Sequence, residues 1–323
     1  MNAVAPLRLR WRPFRFALPQ VLVTAQGALA ERRGWLLRLE RPDGALGWGE
    51  AAPLDGPAGL ADPAAVGLAP GTWPRPALED RLPTLPPAFA FALGLALAEL
   101  DGLGSAASGG WGAPPPSAVL LPAGPAAIEA LRAALAAGPP PPAVKWKVAT
   151  RADAEERRTL EGLLALLPPL CRLRLDANGG WDRPTATAWA ERLAGEPRLE
   201  WLEQPLPAAD HEGLRALAQR LPVALDESLR SLAGPPPLWP GWQVRRPAVE
   251  GDPRPLLTAL AAGAPRWMIS TALETGIGWR LVAHAAALQQ RGPTPAAPGL
   301  APGWRPQGGL FDPQPDRVWE AAT

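Results

Sequence analysis

A chain of 323 residues can hold one large domain or two modest ones around a substantial core. Its net charge of +1, with both signs interspersed, gives no footing for nucleic acid or a membrane surface as partner. The lone Cys171 excludes an intrachain disulfide framework or cysteine metal site, and with neither a signal-peptide pattern around Arg8, Arg10, Arg12 and Arg15 nor a membrane-length apolar run, a reducing, cytoplasmic setting is expected.

The chain opens with strand-like stretches at 14–27 and 33–51, the second folded back at Asp43-Gly44, a strong hairpin-turn signal. A Gly/Pro-rich loop follows Glu50-Ala51-Ala52-Pro53-Leu54, and 86–100, rich in alanine and leucine, predicts a helix. Pro114-Pro115-Pro116 marks a boundary, after which strand and helix patterns alternate. Strands are predicted at 118–121, 143–148, 172–176, 199–203, 223–226, 242–246 and 267–271, with helices at 126–137, 152–166, 186–193, 212–221, 255–262 and 279–290. An irregular piece with Pro235-Pro236-Pro237 follows the fifth strand, and 292–323 holds at most a degenerate eighth strand and a tail. The expected fold is a TIM-like β/α barrel with an N-terminal α+β capping domain. Its expected division is a cap at 1–115, a barrel at 116–300, and a tail at 301–323 that packs near the cap.

Asp176, Glu203 and Asp226 each close an apolar run, separated by about the length of one β/α repeat. They therefore fall at the ends of successive parallel strands, where barrels place their chemistry. Three hard oxygen ligands there suit Mg²⁺, with Mn²⁺ as a possible substitute. Partial pairing of Asp176 with Arg174, two residues earlier on the same strand face, is also expected. Lysine is rare in this Ala-, Pro- and Arg-rich sequence, yet Lys145 and Lys147 flank Trp146 on the preceding strand. Alternation puts both lysines inside the barrel, and their mutual repulsion is expected to lower the pKa of at least one toward a usable base. Asn178 and Glu227 are candidates to support the ligands. Ser270, Thr271 and Gly276, around the start of the last helix, predict an anion cradle of backbone amides for a substrate carboxylate. His211 and His284 fall where no barrel base belongs and are expected to be structural.

The set Lys-x-Lys, Asp-Ala-Asn, Glu-Gln-Pro and Asp-Glu-Ser at these intervals resembles the enolase superfamily, and within it the muconate-lactonising subgroup. Residues 21–27 and 50–56 resemble that family's two cap loops, and Ser270–Gly278 its strand-seven signature. The resemblance implies that Asp176, Glu203 and Asp226 bind Mg²⁺, which holds a substrate carboxylate and stabilises an enediolate. It further implies that Lys147 is the base. In this subgroup it points most closely to the enzymes that dehydrate a cyclohexadiene carboxylate to o-succinylbenzoate in menaquinone or phylloquinone synthesis. A dipeptide or N-acylamino-acid epimerase and a non-catalytic carboxylate binder are the alternatives. One position departs from the family: Arg246 stands before Pro247 where a second lysine is usual. Oligomeric state is left open between monomer and homo-oligomer.

Overall fold

The computed structural model describes residues 6–24, 27–54, 60–230 and 239–323. Parts of the two expected cap loops (25–26 and 55–56) and Pro235-Pro236-Pro237 lie outside the described residues. Strands β1 (Leu7–Thr24), β2 (Gly27–Glu40), β3 (Leu46–Ala51) and β4 (Gly71–Trp73) form an antiparallel sheet in the order β3-β2-β1-β4. The β2–β3 turn closes where Asp43-Gly44 predicts it: Arg41 N donates to Ala45 O at 2.9 Å, and Gly44 takes φ +86. Helices α1 (Arg75–Arg81) and α2 (Pro87–Leu100) follow.

Helix α2 has almost no polar face, because it is covered on two sides. Leu93 and Leu97 join Leu9, Leu37 and Leu39 of the sheet in one core. On its other side, a Cβ at Gly94 would meet Asp252 Oδ1 at 2.3 Å. Contact with the sheet is closer still: a Cβ at Gly47 or Gly49 would lie 2.0 Å from the carbonyl oxygens of Ala96 and Ala92.

From β5 (Val119–Leu121) the chain alternates. It runs through α3 (Ala126–Ala136), β6 (Ala143–Lys147), α4 (Asp153–Leu166), β7 (Arg172–Asp176), α5 (Arg183–Leu193), β8 (Leu199–Glu203) and α6 (His211–Ala218). Then come β9 (Val223–Leu225), β10 (Trp242–Arg245), α7 (Pro253–Ala261), β11 (Trp267–Ile269) and α8 (Gly276–Gln290). Strands β5 to β11 are parallel and neighbour one another in chain order, as a β/α repeat requires. Outward residues Trp146, Leu173, Leu175 and Leu202 pack under the helices, while Trp201, Ala224, Val244 and Met268 fill a separate core.

No eighth strand forms among the described residues. The gap between β11 and β5 is closed instead by 298–300: Gly299 makes a parallel bridge to Ser270, and Ala118 N donates to Pro298 O at 2.9 Å. Proline cannot donate to a ladder, which accounts for a closure this short. Helix α9 (Pro315–Ala321) returns to the N-terminal sheet. There the Trp319 ring lies 5.8 Å from Trp48, with the Arg12 and Arg38 guanidinium groups 4.9 Å and 5.3 Å from its centre. Among the described residues no helix is long and apolar enough to cross a membrane.

The glycine approach gives a direct test. Gly49→Ala should force β3 away from α2 and cost about 1–3 kcal/mol, the usual range for overpacking. Urea unfolding of the variant beside the parent measures it, and equal midpoints would refute the tight contact.

Candidate active site

The strand ladder aligns the charges. Lys147 lies opposite Asp176, and Asp176 opposite Glu203, on three adjacent strands. Asp226 and Arg246 stand just past the ends of β9 and β10. All five side chains, with Lys145, are buried or nearly so. Lys145 and Lys147 are the only lysines of the chain.

The Lys145 ammonium donates to Glu203 Oε1 at 2.5 Å and lies 2.7 Å from Asp176 Oδ2. Lys147 Nζ donates to the same Asp176 oxygen at 2.5 Å and to Asn178 Oδ1 at 2.8 Å. Arg246 donates to Asp226 through Nε and Nη2, and Arg230 adds a short ion pair to Asp226 Oδ1. For Lys145 the expected lowering is corrected by these contacts. Burial pulls Lys145 down, but the charges of Asp176 and Glu203 outweigh it and its pKa is raised. Asp176 is held low despite burial by Lys145 and Lys147, and Asp226 by Arg230 and Arg246. Burial and the neighbouring Asp176 charge push Glu203 up to about 7. Arg174 does not pair with Asp176: its Nε donates to Glu200 at 2.6 Å, and its guanidinium lies 4.2 Å above the Trp201 ring.

Supporting contacts hold the strand ends apart. Asn178 links Lys147 to Glu227, its Nδ2 donating to Glu227 Oε1 at 2.9 Å. Gln204 ties β8 to β9: its Oε1 accepts from Asp226 N and Ser228 N, and its Nε2 donates to Ser228 Oγ. Ala149, Asn178, Gln204 and Leu273 follow the ends of β6, β7, β8 and β11 with positive φ, a backbone that side chains normally avoid and that gathers at working sites.

As arranged, the carboxylates are neutralised by ammonium and guanidinium groups. Among the described residues no three acidic, histidine or cysteine groups form a ready metal shell. The donor set nevertheless fits a hard divalent ion, being oxygen only and on adjacent strand ends. Glu203 Oε2 and Glu227 Oε2 are buried without a hydrogen-bond partner. An unsatisfied buried carboxylate oxygen is costly, and a cation would satisfy it.

Above the charges opens a cleft. Lys145, Lys147 and Arg246 line it together with Leu22, Leu29, Leu54, Ala118, Leu120, Ser270, Thr271, Ala272, Leu273, Gly299 and Ala301. Leu22 and Leu54 belong to the cap-loop segments 21–27 and 50–56, whereas Leu29 on β2 was not expected there, because a single leucine on a strand carries no signal beyond core. Ser270 and Thr271 reach the cleft, but Gly276 does not: a Cβ there would meet Asp312 O at 2.0 Å, so the glycine serves packing against the C-terminal segment. The expected anion cradle is already filled from within. Thr275 N and Gly278 N, at the start of α8, donate to the carboxylate of Glu50. His211 opens α6, and His284 lies within α8 accepting from Gly112 N at 2.9 Å; neither lines the cleft.

Comparison with known proteins follows this geometry. The profile of enolase C-terminal domain-like proteins matches residues 126–237. An o-succinylbenzoate synthase of Thermosynechococcus vestitus is 37% identical over 291 residues, which span 86% of this chain and 88% of that one. The crystal structure of o-succinylbenzoate synthase from Thermosynechococcus elongatus BP-1, complexed with Mg in the active site, superposes with a TM-score of 0.78 at 33% identity. That likeness covers 97% of this chain and 99% of the other. The L-Ala-D/L-Glu epimerase of Bacillus subtilis shares the fold, with a TM-score of 0.71 at 19% identity over 95% of this chain and 92% of that one. Fold and strand-end charges thus define a capped barrel of the enolase superfamily. Within it, the chain belongs to the o-succinylbenzoate synthase family.

The shared oxygen of Asp176 generates a stability test. Both ammonium groups lean on Oδ2. Asp176→Asn should leave buried positive charge uncompensated and cost about 3–5 kcal/mol. Unfolding in urea with chelator present reads the loss. A variant as stable as its parent would show that the two lysines do not depend on this carboxylate.

Proposed function

We propose that this protein catalyses the o-succinylbenzoate synthase reaction. Water leaves 2-succinyl-6-hydroxy-2,4-cyclohexadiene-1-carboxylate and the ring becomes aromatic, as a step of menaquinone or phylloquinone synthesis in the cytoplasm. The observation that carries the reading is one cleft with Lys147 on β6, Arg246 after β10 on the far side of the barrel, carboxylates beneath, and leucines above. Such a cleft suits a carboxylate attached to an apolar ring. In this reading residues 1–115 cap a barrel of 116–300, and 301–323 pack near the cap.

Asp176, Glu203 and Asp226 would hold Mg²⁺, or Mn²⁺ in its place. The bound ion supplies positive charge against the negative charge that builds on the substrate carboxylate. Lys145, between Asp176 and Glu203, lies where it can also contact that carboxylate. Lys147, steered by Asn178 Oδ1, takes the proton from the carbon beside the carboxylate. It then returns that proton to the departing hydroxyl on the same face. Arg246 holds its proton throughout: Asp226 outweighs burial and raises an already high pKa. Its fixed charge can steady the anionic ring from the opposite side. Ser270 and Thr271 border the substrate, and Glu227 steadies Asn178.

The same guanidinium speaks against the epimerase alternative, which needs a titratable group on each face of one carbon. Composition adds a second support for the base. Its two histidines aside, this chain uses arginine for every other basic side chain, yet keeps lysine at 145 and 147. At 147 the mechanism requires a removable proton, which a guanidinium cannot supply.

The purified protein should form the aromatic product with Mg²⁺ and lose that activity in chelator. Lys147→Arg should lower kcat by roughly 10²–10⁴-fold, the usual worth of a general base. Turnover that persists in excess chelator, or a fully active arginine variant, contradicts the mechanism. Single enantiomers of N-succinylamino acids in deuterated water should show little inversion. Rapid inversion with deuterium in the product would favour the epimerase.

A further inference from the structure

Glu50, at the end of β3, is a buried carboxylate that the mechanism does not use. It reaches from the antiparallel sheet into the start of α8, where Thr275 N donates at 3.0 Å, Thr275 Oγ1 at 2.5 Å and Gly278 N at 3.1 Å. The sequence makes room for it, since a Cβ on Gly278 would stand 2.9 Å from Glu50 Oε2.

The residue before Thr275 continues the connection. Glu274, also buried, folds back over the cleft wall: Thr271 Oγ1 donates to it at 2.5 Å and Ala272 N at 2.6 Å. Leu273 N donates to Thr271 Oγ1 at 2.7 Å, and Leu273 itself sits at φ +64. A branched side chain in that backbone region is strained and persists only where its surroundings impose it. At the other end of this wall, Thr271 O accepts from Arg246 Nη1 at 2.5 Å. One connected set of bonds therefore runs from the sheet to the guanidinium that faces the base.

We propose that Glu50 is a positioning residue for the substrate. By pinning Thr275 and the first turn of α8, it fixes the Thr271–Leu273 wall and, through Thr271 O, the Arg246 guanidinium. This rests on the dehydration reading for the identity of the substrate, though the bonds themselves do not. Glu50 and Glu274 converge on the same space over α8, since a Cβ on Gly278 would stand 2.9 Å from Glu274 Cβ as well as from Glu50 Oε2. Glu99 provides the contrast. Its side chain too is largely covered and bridges the sheet to α8, accepting from Trp48 N and from Arg280, but none of its bonds reaches the cleft wall.

The test compares Glu50→Gln with Glu99→Gln in the full chain. Glutamine keeps the size but turns an amide N–H₂ toward donors. Hydrogen exchange at the amides of 272–278 should become about tenfold faster in Glu50→Gln and stay near the parent in Glu99→Gln. KM for the dehydration substrate should rise about tenfold or more in Glu50→Gln alone, while Mg²⁺ affinity measured by calorimetry stays unchanged. Glu50→Asp should recover part of both effects. Equal exchange in the glutamine variants, or faster exchange with an unchanged KM, overturns the proposal. If the parent itself shows no turnover, the dehydration reading fails, and the exchange comparison alone decides the role of Glu50.

Discussion

A charge taken out of water must meet an opposite charge or a set of dipoles, and this barrel gathers eight ionisable groups, buried or partly buried, at its mouth. Asp176, Glu203, Asp226 and Glu227 face Lys145, Lys147, Arg230 and Arg246. Desolvation of such groups costs several kcal/mol each, so the arrangement depends on pairing nearly every charge. That condition fixes the register of the central strands. Slipping β7 by one residue would turn Leu173 and Leu175 into the charged interior and Asp176 into the apolar layer under the helices. The outer core and the inner charges therefore demand the same alignment.

Much of this alignment was legible in the sequence because strand ends punctuate it. Apolar runs that stop at Asp176, Glu203 and Asp226 reveal both the strand and the side its last residue faces, and the structure puts those residues at or just past the strand ends. The helices between them came through for a similar reason, since each strand must be followed by a covered return. The closure of the barrel was legible only as a degenerate strand somewhere in 292–323, without its position. It is made by Pro298–Leu300, and three residues that bridge two strands have no period to read.

Tertiary partners were the other blind spot. Glycine and hydroxyl residues before α8 do build an anion site, but its anion is Glu50, distant in sequence and carried by another sheet. From composition alone such a cradle cannot be told apart as filled or open. Two lysines on one strand face suggested mutual repulsion. The actual field on Lys145 is set by Asp176 and Glu203, which the same pattern had reserved for a metal. On the proposed reading, ammonium groups and a divalent ion would compete for the same oxygens, and neither strand shows that by itself.

One consequence of the lysine placement reaches beyond catalysis. Both side-chain amines of the chain are buried at the barrel mouth, 7% and 5% exposed. The outer surface carries its positive charge entirely on guanidinium groups. Acetylation, amine-directed crosslinkers and isopeptide conjugation therefore find no lysine there. A reagent that acylates lysine side chains would have to enter the cleft to do so.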